Sequence, residues 1–315
     1  CETRSPPACG GVRGGQCYTP NMLTQIVIIN TLRCNFKCAH CIRGFPDERS
    51  DFPMALLPKL LMDARPFGAK HVALTGGEPF LHPEFNEMVE QIMNAGYTWH
   101  FVSNGWQTKP YIPLLEKHEE SVSHVALSLD GATPEIHDEI RGRSGSFERV
   151  MQATKIYRKL GLSIRWNVCM NKHNKHQLEN IIHLAEKLNV SLMNVSGINP
   201  TPWNTDLVLS DDESLALFKQ AAELSEHTKI KISIRSALKT VGGINFCRHL
   251  QLESLTINTN GEMIFCCDTQ KNGAVIGSLR EDSLDILLKA WLGVSASLQE
   301  ERIERIQKGN MGIGF

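Results

Sequence analysis

The sequence lacks any apolar run of the roughly 18 residues that a membrane-spanning helix needs, and it shows no secretory signal pattern. It also lacks an excess of one charge, because 33 lysine and arginine residues are matched by 34 aspartate and glutamate residues among 315. Such a balance gives no general attraction to nucleic acid or to an anionic membrane. We therefore expect a globular protein of about two domains that binds neither.

Cysteine, in contrast, is plentiful. Ten cysteines in a long chain with no visible targeting segment indicate metal or redox chemistry rather than disulfides, and a reducing cytoplasm as the working compartment. Three of them, Cys34, Cys38 and Cys41, lie within the ten residues "LRCNFKCAHC". A closed structural zinc site takes four ligands, so this loop is one ligand short.

The loop has three possible interpretations. Thiolates favour zinc or iron–sulfur clusters. Three cysteines from one loop suit a cubane cluster in which one iron stays open and can hold a small molecule through amine and carboxylate groups. The alternatives are a zinc site completed by His40 or a distant residue, and cysteines without a ligand.

The chain around this loop alternates between short apolar runs and helix-like segments. The apolar runs are "TQIVIIN", "HVALTGG", "WHFVSNG", "VSHVALSLDG", "SIRWNVCMN" and "VSLMNVSGINP". Six strand and helix units in order predict parallel strands with right-handed crossovers. Six are too few for a closed eight-fold barrel, so we expect an α/β fold with a partial (β/α)6 barrel or an open curved sheet. Polar and glycine-rich residues follow each strand, which predicts a site at the carboxyl ends of the strands.

The alternation of strand and helix segments ends after the sixth unit. A long helix and "IKISIRS" are followed by two strand-like runs around Asn260-Gly261, which is a strong hairpin signal, and then by a predicted helix over about 282–291. We therefore predict an irregular lead-in over residues 1–22, a core domain over 23–235 and a small α+β domain over 236–315.

The pattern Cys34-x3-Cys38-x2-Cys41 resembles the signature of the radical S-adenosylmethionine (radical SAM) enzymes. "TGGEP" follows the second strand as it does in that family, "SNG" and "SLDG" end the third and fourth strands, and "HDEIRG" resembles a segment of the peptide-modifying branches. The resemblance extends over residues 26 to about 200. It implies a 4Fe–4S cluster whose open iron chelates S-adenosylmethionine, and reductive cleavage of that cofactor to a 5′-deoxyadenosyl radical that abstracts hydrogen from substrate.

The resemblance also implies roles for single residues. Those expected to bind S-adenosylmethionine are His40 near the adenine, Gly76, Gly77 and Glu78 at the methionine end, Ser103 and Asn104 at the ribose, Ser128 at the fourth strand end and Arg141 at the carboxylate. Glycines that form a plain turn and a solvated surface arginine are the alternatives for Gly76, Gly77 and Arg141. Cys169 is a candidate hydrogen-atom donor, although a cysteine within a strand is more often a small buried hydrophobe. We expect His137 at the surface or in a loop.

The C-terminal cysteines Cys247, Cys266 and Cys267 resemble the start of a SPASM or twitch extension, which holds auxiliary iron–sulfur clusters. No cysteine follows Cys267 to complete such a set. The chain ends before the remaining ligands, or Cys267, a non-cysteine group or an N-terminal cysteine completes one cluster, or the metal has been lost. We expect one auxiliary cluster with Cys247 and Cys266 as ligands; Cys1, Cys9 and Cys17 stay unassigned.

The predicted function is radical modification of a peptide or protein, with a reductase, flavodoxin or ferredoxin as the electron donor. The short lead-in leaves no room for an N-terminal peptide-recognition domain, so a separate partner would supply recognition. Action on a small metabolite is the alternative function. A non-catalytic iron–sulfur or zinc scaffold is the second alternative; it would keep the cysteines without needing Glu78, Ser128 and Arg141.

Overall fold

A computed structural model of the chain describes residues 23–44, 50–234, 253–265 and 275–307. These residues form one sheet of ten strands with helices packed against it. The strands are β1 (Gln25–Thr31), β2 (His71–Gly76), β3 (Thr98–Ser103), β4 (Val122–Ser128), β5 (Ile164–Met170), β6 (Leu192–Gly197), β7 (Lys231–Ile234), β8 (Ser254–Ile257), β9 (Glu262–Ile264) and β10 (Val275–Ser278). The α-helices are α1 (Leu57–Ala64), α2 (Phe85–Asn94), α3 (Ile112–Lys117), α4 (Pro134–Arg141), α5 (Ser146–Lys159), α6 (Leu178–Lys187), α7 (Asp211–His227) and α8 (Leu284–Gln307).

The strand order confirms the predicted partial barrel. Strands β1 to β7 lie side by side in chain order, and every neighbouring pair is parallel. The sheet is not closed, since β7 and β10 are its two edges. Strand β7 adds one parallel strand to the six predicted units.

The two faces of the sheet differ in polarity. In β5, Ile164, Trp166, Val168 and Met170 are buried and belong to the apolar core beneath the helices. Arg165, Asn167 and Cys169 alternate with them and are only half-buried, as the period of two requires. These three residues therefore share the concave face of the partial barrel, opposite the apolar core, and polar side chains collect on this face.

The C-terminal strands continue the same sheet. Strand β8 pairs in parallel with β1, and β9 and β10 follow as antiparallel neighbours. The hairpin predicted at Asn260-Gly261 is present, with Gly261 at φ +81° and its N–H donating to Asn258 O at 3.0 Å. Helix α8 begins near the predicted residue but continues to Gln307. The division into domains stays a prediction, and Cys247, Cys266, Cys267, Cys1, Cys9 and Cys17 lie outside the described residues.

None of the helices within these described ranges is both long enough and apolar enough to cross a lipid bilayer.

Candidate functional site

The three-cysteine loop, residues 32–44, follows β1 at the carboxyl end of the sheet. Cys34 is exposed, Cys38 is buried, Cys41 is half-buried, and all three are free thiols. Burial of the sulfur, with smaller contributions from Glu78 and from the neighbouring thiols of Cys38 and Cys41, raises the pKa of Cys34 to about 12. The Cys38 and Cys41 thiols therefore lie near enough to Cys34 to disfavour its thiolate.

Burial makes the Cys34 and Cys38 thiols hard to ionise, so their thiolates need a positive charge nearby. Burial also raises the pKa of Cys38, against the opposing charge of Arg141. A coordinating metal deprotonates such thiols outright, because its own charge replaces the missing counter-ion. Among the described residues, no group of three or more His, Cys, Asp and Glu side chains is already placed to hold a metal ion.

The glycines of "TGGEP" support this loop from one side. Gly77 N–H donates to Thr31 O at 2.7 Å, and Glu78 N–H donates to Arg33 O at 2.8 Å. A Cβ on Gly76 would lie 2.2 Å from Thr31 O, and one on Gly77 would lie 2.1 Å from Arg33 O. Gly76 also has φ +148°, a backbone conformation that side chains disfavour. Close contact between the end of β2 and the cysteine loop therefore requires both glycines.

The end of α4 supports the loop from the other side. Ala39 N–H donates to Ile140 O at 2.9 Å, and Arg143 Nη1 donates to Asn35 O at 3.1 Å. Gly142 has φ +62°, and a Cβ there would lie 2.4 Å from Lys37 O. The loop has no regular secondary structure of its own, so its contacts with these two flanking segments help to determine its shape.

Two predicted residues, Ser103 and Asn104, meet at the carboxylate of a third, Glu78. Glu78 is fully buried and accepts hydrogen bonds from Ser103 Oγ at 2.9 Å and Asn104 N–H at 2.8 Å. Burial raises the pKa of Glu78 to about 7, although these hydrogen bonds act in the opposite direction. Asn104 Nδ2 also donates to Asn35 Oδ1 at 2.8 Å, which joins this cluster to the cysteine loop.

A second polar cluster surrounds Asp130, just beyond β4. Its Oδ2 lies 2.7 Å from Arg141 Nε and 3.6 Å from His40 Nε2, and its Oδ1 accepts from Cys169 N–H at 2.8 Å. Arg141 Nη1 in turn lies 3.8 Å from Cys38 Sγ, within hydrogen-bond distance for sulfur. Arg141 is buried, so the alternative of a solvated surface arginine is wrong.

The charges in the Asp130 cluster are balanced internally. Burial alone would raise the pKa of Asp130, but Arg141 and then His40 outweigh it, so the pKa lies below its ordinary value. Burial lowers the pKa of His40 to about 4, which keeps its imidazole neutral near pH 7. His137 is also fully buried, contrary to the expected surface or loop position, because it lies on the buried side of α4, where its Nδ1 accepts from Asp130 N–H at 3.1 Å.

The concave face next to these clusters carries further polar groups. Ser128 lies beside Asn167 in the parallel register, and Asn194 Nδ2 donates to Asn167 Oδ1 at 2.8 Å. Asn194 Oδ1, His40 Nδ1 and Thr201 Oγ1 are buried without a hydrogen-bond partner among the described residues. Because buried polar atoms in folded proteins are usually paired, these three atoms are consistent with a ligand that brings its own polar groups.

Sequence reasoning gave no role to several residues that form this site. Asp130 stood in the quoted "SLDG" motif, but only the fold brings its carboxylate to Arg141. Trp203 follows β6 and donates from Nε1 to Cys41 O at 2.8 Å, and a Cβ on Gly44 would lie 3.1 Å from its ring. No sequence pattern marked Arg143 as part of the site, because its partner Asn35 lies far away in the chain.

The chain resembles known proteins in sequence and in fold. The family model described as the Radical SAM superfamily matches residues 28–185, which is half of the chain. An AdoMet-dependent heme synthase of Methanosarcina barkeri is 28% identical over 217 residues, 66% of this chain and 60% of that protein. The subtilosin biosynthesis protein AlbA of Bacillus subtilis is 31% identical over 160 residues, 50% of this chain and 35% of that protein. The chain thus spans less than two thirds of the length of these relatives.

Among solved structures, SuiB of Streptococcus suis bound to S-adenosylmethionine matches with a TM-score of 0.73 and 16% identity, covering 88% of this chain and 68% of that one. SuiB has also been solved with its precursor peptide SuiA bound. At this identity the likeness shows the fold, which is the partial barrel described above.

Proposed function

Because the chain belongs to the radical SAM superfamily, we propose that it is an enzyme whose three-cysteine loop holds a 4Fe–4S cluster for radical modification of a peptide or protein. The observation that carries the proposal is the loop itself, with three free thiols at the carboxyl end of a parallel barrel and Arg141 within reach of Cys38 Sγ. Three thiolates from one loop suit a cubane cluster with one open iron, and the glycine contacts fix the loop in place.

Cys34, Cys38 and Cys41 would hold the cluster, and the polar groups around them would hold S-adenosylmethionine. When bound, the two together supply reductive cleavage of the cofactor and a radical able to abstract hydrogen from substrate. The protein's own contribution is to bind, orient and exclude water. Backbone at Gly76 and Gly77 and the buried Glu78 are proposed to face the methionine end.

Other side chains are proposed to act through position and charge. Ser103 and Asn104 orient Glu78 by the hydrogen bonds that they donate to it. Arg141 carries a fixed positive charge beside the cysteine loop; Asp130 holds that charge in place and leaves Arg141 Nη1 directed to Cys38 Sγ. His40 and Ser128 are proposed to line the cofactor, and Cys169 lies on the same concave face.

Two relatives support a peptide or protein as substrate. AlbA acts in biosynthesis of the bacteriocin subtilosin, and SuiB binds the precursor peptide SuiA. A small metabolite remains the second candidate, because the heme synthase aligns with more residues of this chain than AlbA does. A short precursor peptide encoded beside the gene would favour the first candidate, and neighbouring genes of a small-molecule pathway would favour the second. The proposed partner for reduction is a flavodoxin, a ferredoxin or a reductase, in a reducing cytoplasm.

Anaerobic reconstitution tests the proposal. We expect Cys38→Ala to lose one cluster's iron and the associated visible absorption relative to the unaltered protein. Cys169→Ala should keep that iron and that absorption, because Cys169 lies outside the loop. The reduced, unaltered protein should convert S-adenosylmethionine to 5′-deoxyadenosine. Intact S-adenosylmethionine beside a fully formed cluster would support the scaffold alternative, and a single bound metal ion would contradict the cluster itself. Cys247→Ala, with iron counted in the same way, tests the predicted auxiliary cluster.

A further inference from the structure

A cavity of about 270 Å³ lies outside the barrel, between the residues that follow β3 and helix α5. We call it the basic cleft and define it by Trp106, Lys109, Tyr111, Arg149 and Gln152 in its lining. None of these residues belongs to the proposed cofactor site. The cleft therefore needs its own explanation.

The basic cleft adjoins the cysteine loop through aromatic and guanidinium contacts. The ring of Phe36, between Cys34 and Cys38 in the sequence, meets the Trp106 ring edge to face at 5.7 Å. The Arg143 guanidinium lies 4.2 Å from the Trp106 ring centre, and that of Arg149 lies 5.1 Å from it. One pair of aromatic rings thus separates the cleft from the loop that carries the proposed cluster.

The charge on this surface is one-sided. Lys109 and Arg149 are exposed at the cleft, and exposed Lys37 and half-buried Arg143 extend the positive charge to the cysteine loop. Within the described part of the chain, none of these four side chains forms an ion pair with a carboxylate. No acidic residue lines the cavity. Since the whole chain has a net charge of −1, this positive charge is a local concentration rather than a general excess.

We propose that the basic cleft is the docking surface for an acidic protein that carries one electron at a time, such as a flavodoxin. The proposal rests on the proposed function, because a cluster that cleaves S-adenosylmethionine must receive its electron from outside. Electron transfer requires the two redox groups to approach closely, and the cleft is a positive surface next to the cysteine loop. Electron-transfer encounters are small and weak, and complementary charge steers them.

The test compares two reductants on the reconstituted holoenzyme. One arm uses a bacterial flavodoxin kept reduced by its NADPH-dependent reductase, and the other uses dithionite, which needs no docking surface. The cleft variant is Lys109→Glu/Arg149→Glu. The matched control is Lys155→Glu/Lys219→Glu, which makes the same change in net charge at exposed residues outside the cleft lining.

We expect the cleft variant to form 5′-deoxyadenosine with flavodoxin at least about tenfold more slowly than the control at low salt, because charge complementarity accelerates association. The difference should shrink as salt rises, since screening weakens attraction in the unaltered protein. With dithionite, all three proteins should react at the same rate. Titration of oxidised flavodoxin into each holoenzyme should show the same loss of affinity without any turnover.

Three results would overturn the proposal. Equal flavodoxin rates and affinities in the cleft variant and the control would exclude docking at this surface. An equal loss with dithionite would place the effect at the cluster rather than at docking. A raised KM for an acidic peptide with unchanged flavodoxin kinetics would make the cleft a substrate surface. If the unaltered protein forms no 5′-deoxyadenosine with dithionite, the proposed function fails, while flavodoxin affinity still tests docking separately.

Discussion

The ion pair between Asp130 and Arg141 gives a sharp prediction about stability. Asp130 is fully buried, and its Oδ2 lies 2.7 Å from Arg141 Nε. Asp130→Asn keeps the shape of the side chain and an oxygen for Cys169 N–H, but it leaves the buried guanidinium without a counter-charge. Removing one partner of a buried pair costs about 3–5 kcal/mol, mostly through the charge left behind. With a urea m-value of about 3 kcal/mol/M, the denaturation midpoint should fall by about 1–1.7 M.

The assay is urea unfolding of the metal-free protein at pH 7, followed by circular dichroism. Glu90→Gln is the matched control, because Glu90 pairs with Lys117 at 2.6 Å on the surface, where solvent screens the pair. Its midpoint should hardly change. The double variant Asp130→Asn/Arg141→Met should regain much of the lost stability, since it removes the stranded charge as well. A midpoint for Asp130→Asn that matches the control, or a double variant as unstable as the sum of the two single variants, would refute the charge-pairing argument.

Two further predictions concern the glycine and glutamate of "TGGEP". Gly77→Ala should reduce the iron retained after reconstitution and cost about 1–3 kcal/mol, because its Cβ would lie 2.1 Å from Arg33 O. Gly293→Ala, whose Cβ meets nothing within 4 Å in helix α8, is the control and should keep its iron. Burial raises the pKa of Glu78 to about 7 in the folded protein. Between about pH 4.5 and 7 the folded state therefore binds more protons than the unfolded state. The contribution of Glu78 to the free energy of unfolding thus falls as pH rises. Relative to Glu78→Gln, the unaltered protein should therefore lose roughly 2–3 kcal/mol of unfolding free energy between pH 5 and 7.5, and parallel pH profiles in urea would contradict this.

The order of the parallel strands could be predicted from the sequence, because each short apolar run ends at glycine or polar residues. The pairing of β8 with β1 could not, since it joins strands from opposite ends of the described chain and leaves no local pattern. The extent of α8 was also underestimated. Gly293 and the serines that follow Trp291 interrupt its apolar pattern, although the helix continues to Gln307.

For the site, the sequence identified motifs but not their contacts. The glycines of "TGGEP" were assigned to close approach by a cofactor, whereas the structure shows that they are already required for contact with the cysteine loop. The position of Arg141 was predicted, but its burial and its pairing with Asp130 depend on α4 packing beside the end of β4. Contacts of this kind join residues that are distant in sequence, so no local sequence pattern predicts them.

The support of the cysteine loop from two sides explains why the candidate site extends well beyond the three cysteines. The loop has no helix or strand to fix its thiols, and two of its backbone carbonyls lie where any Cβ on Gly77 or Gly142 would clash. On one side those contacts continue through Glu78 to Ser103 and Asn104, and on the other side they continue through α4 to the Asp130 cluster. Several residues proposed to bind the cofactor thus also position the thiols. A change on the Glu78 side or on the Asp130 side of the loop should therefore alter cluster retention as well as cofactor binding.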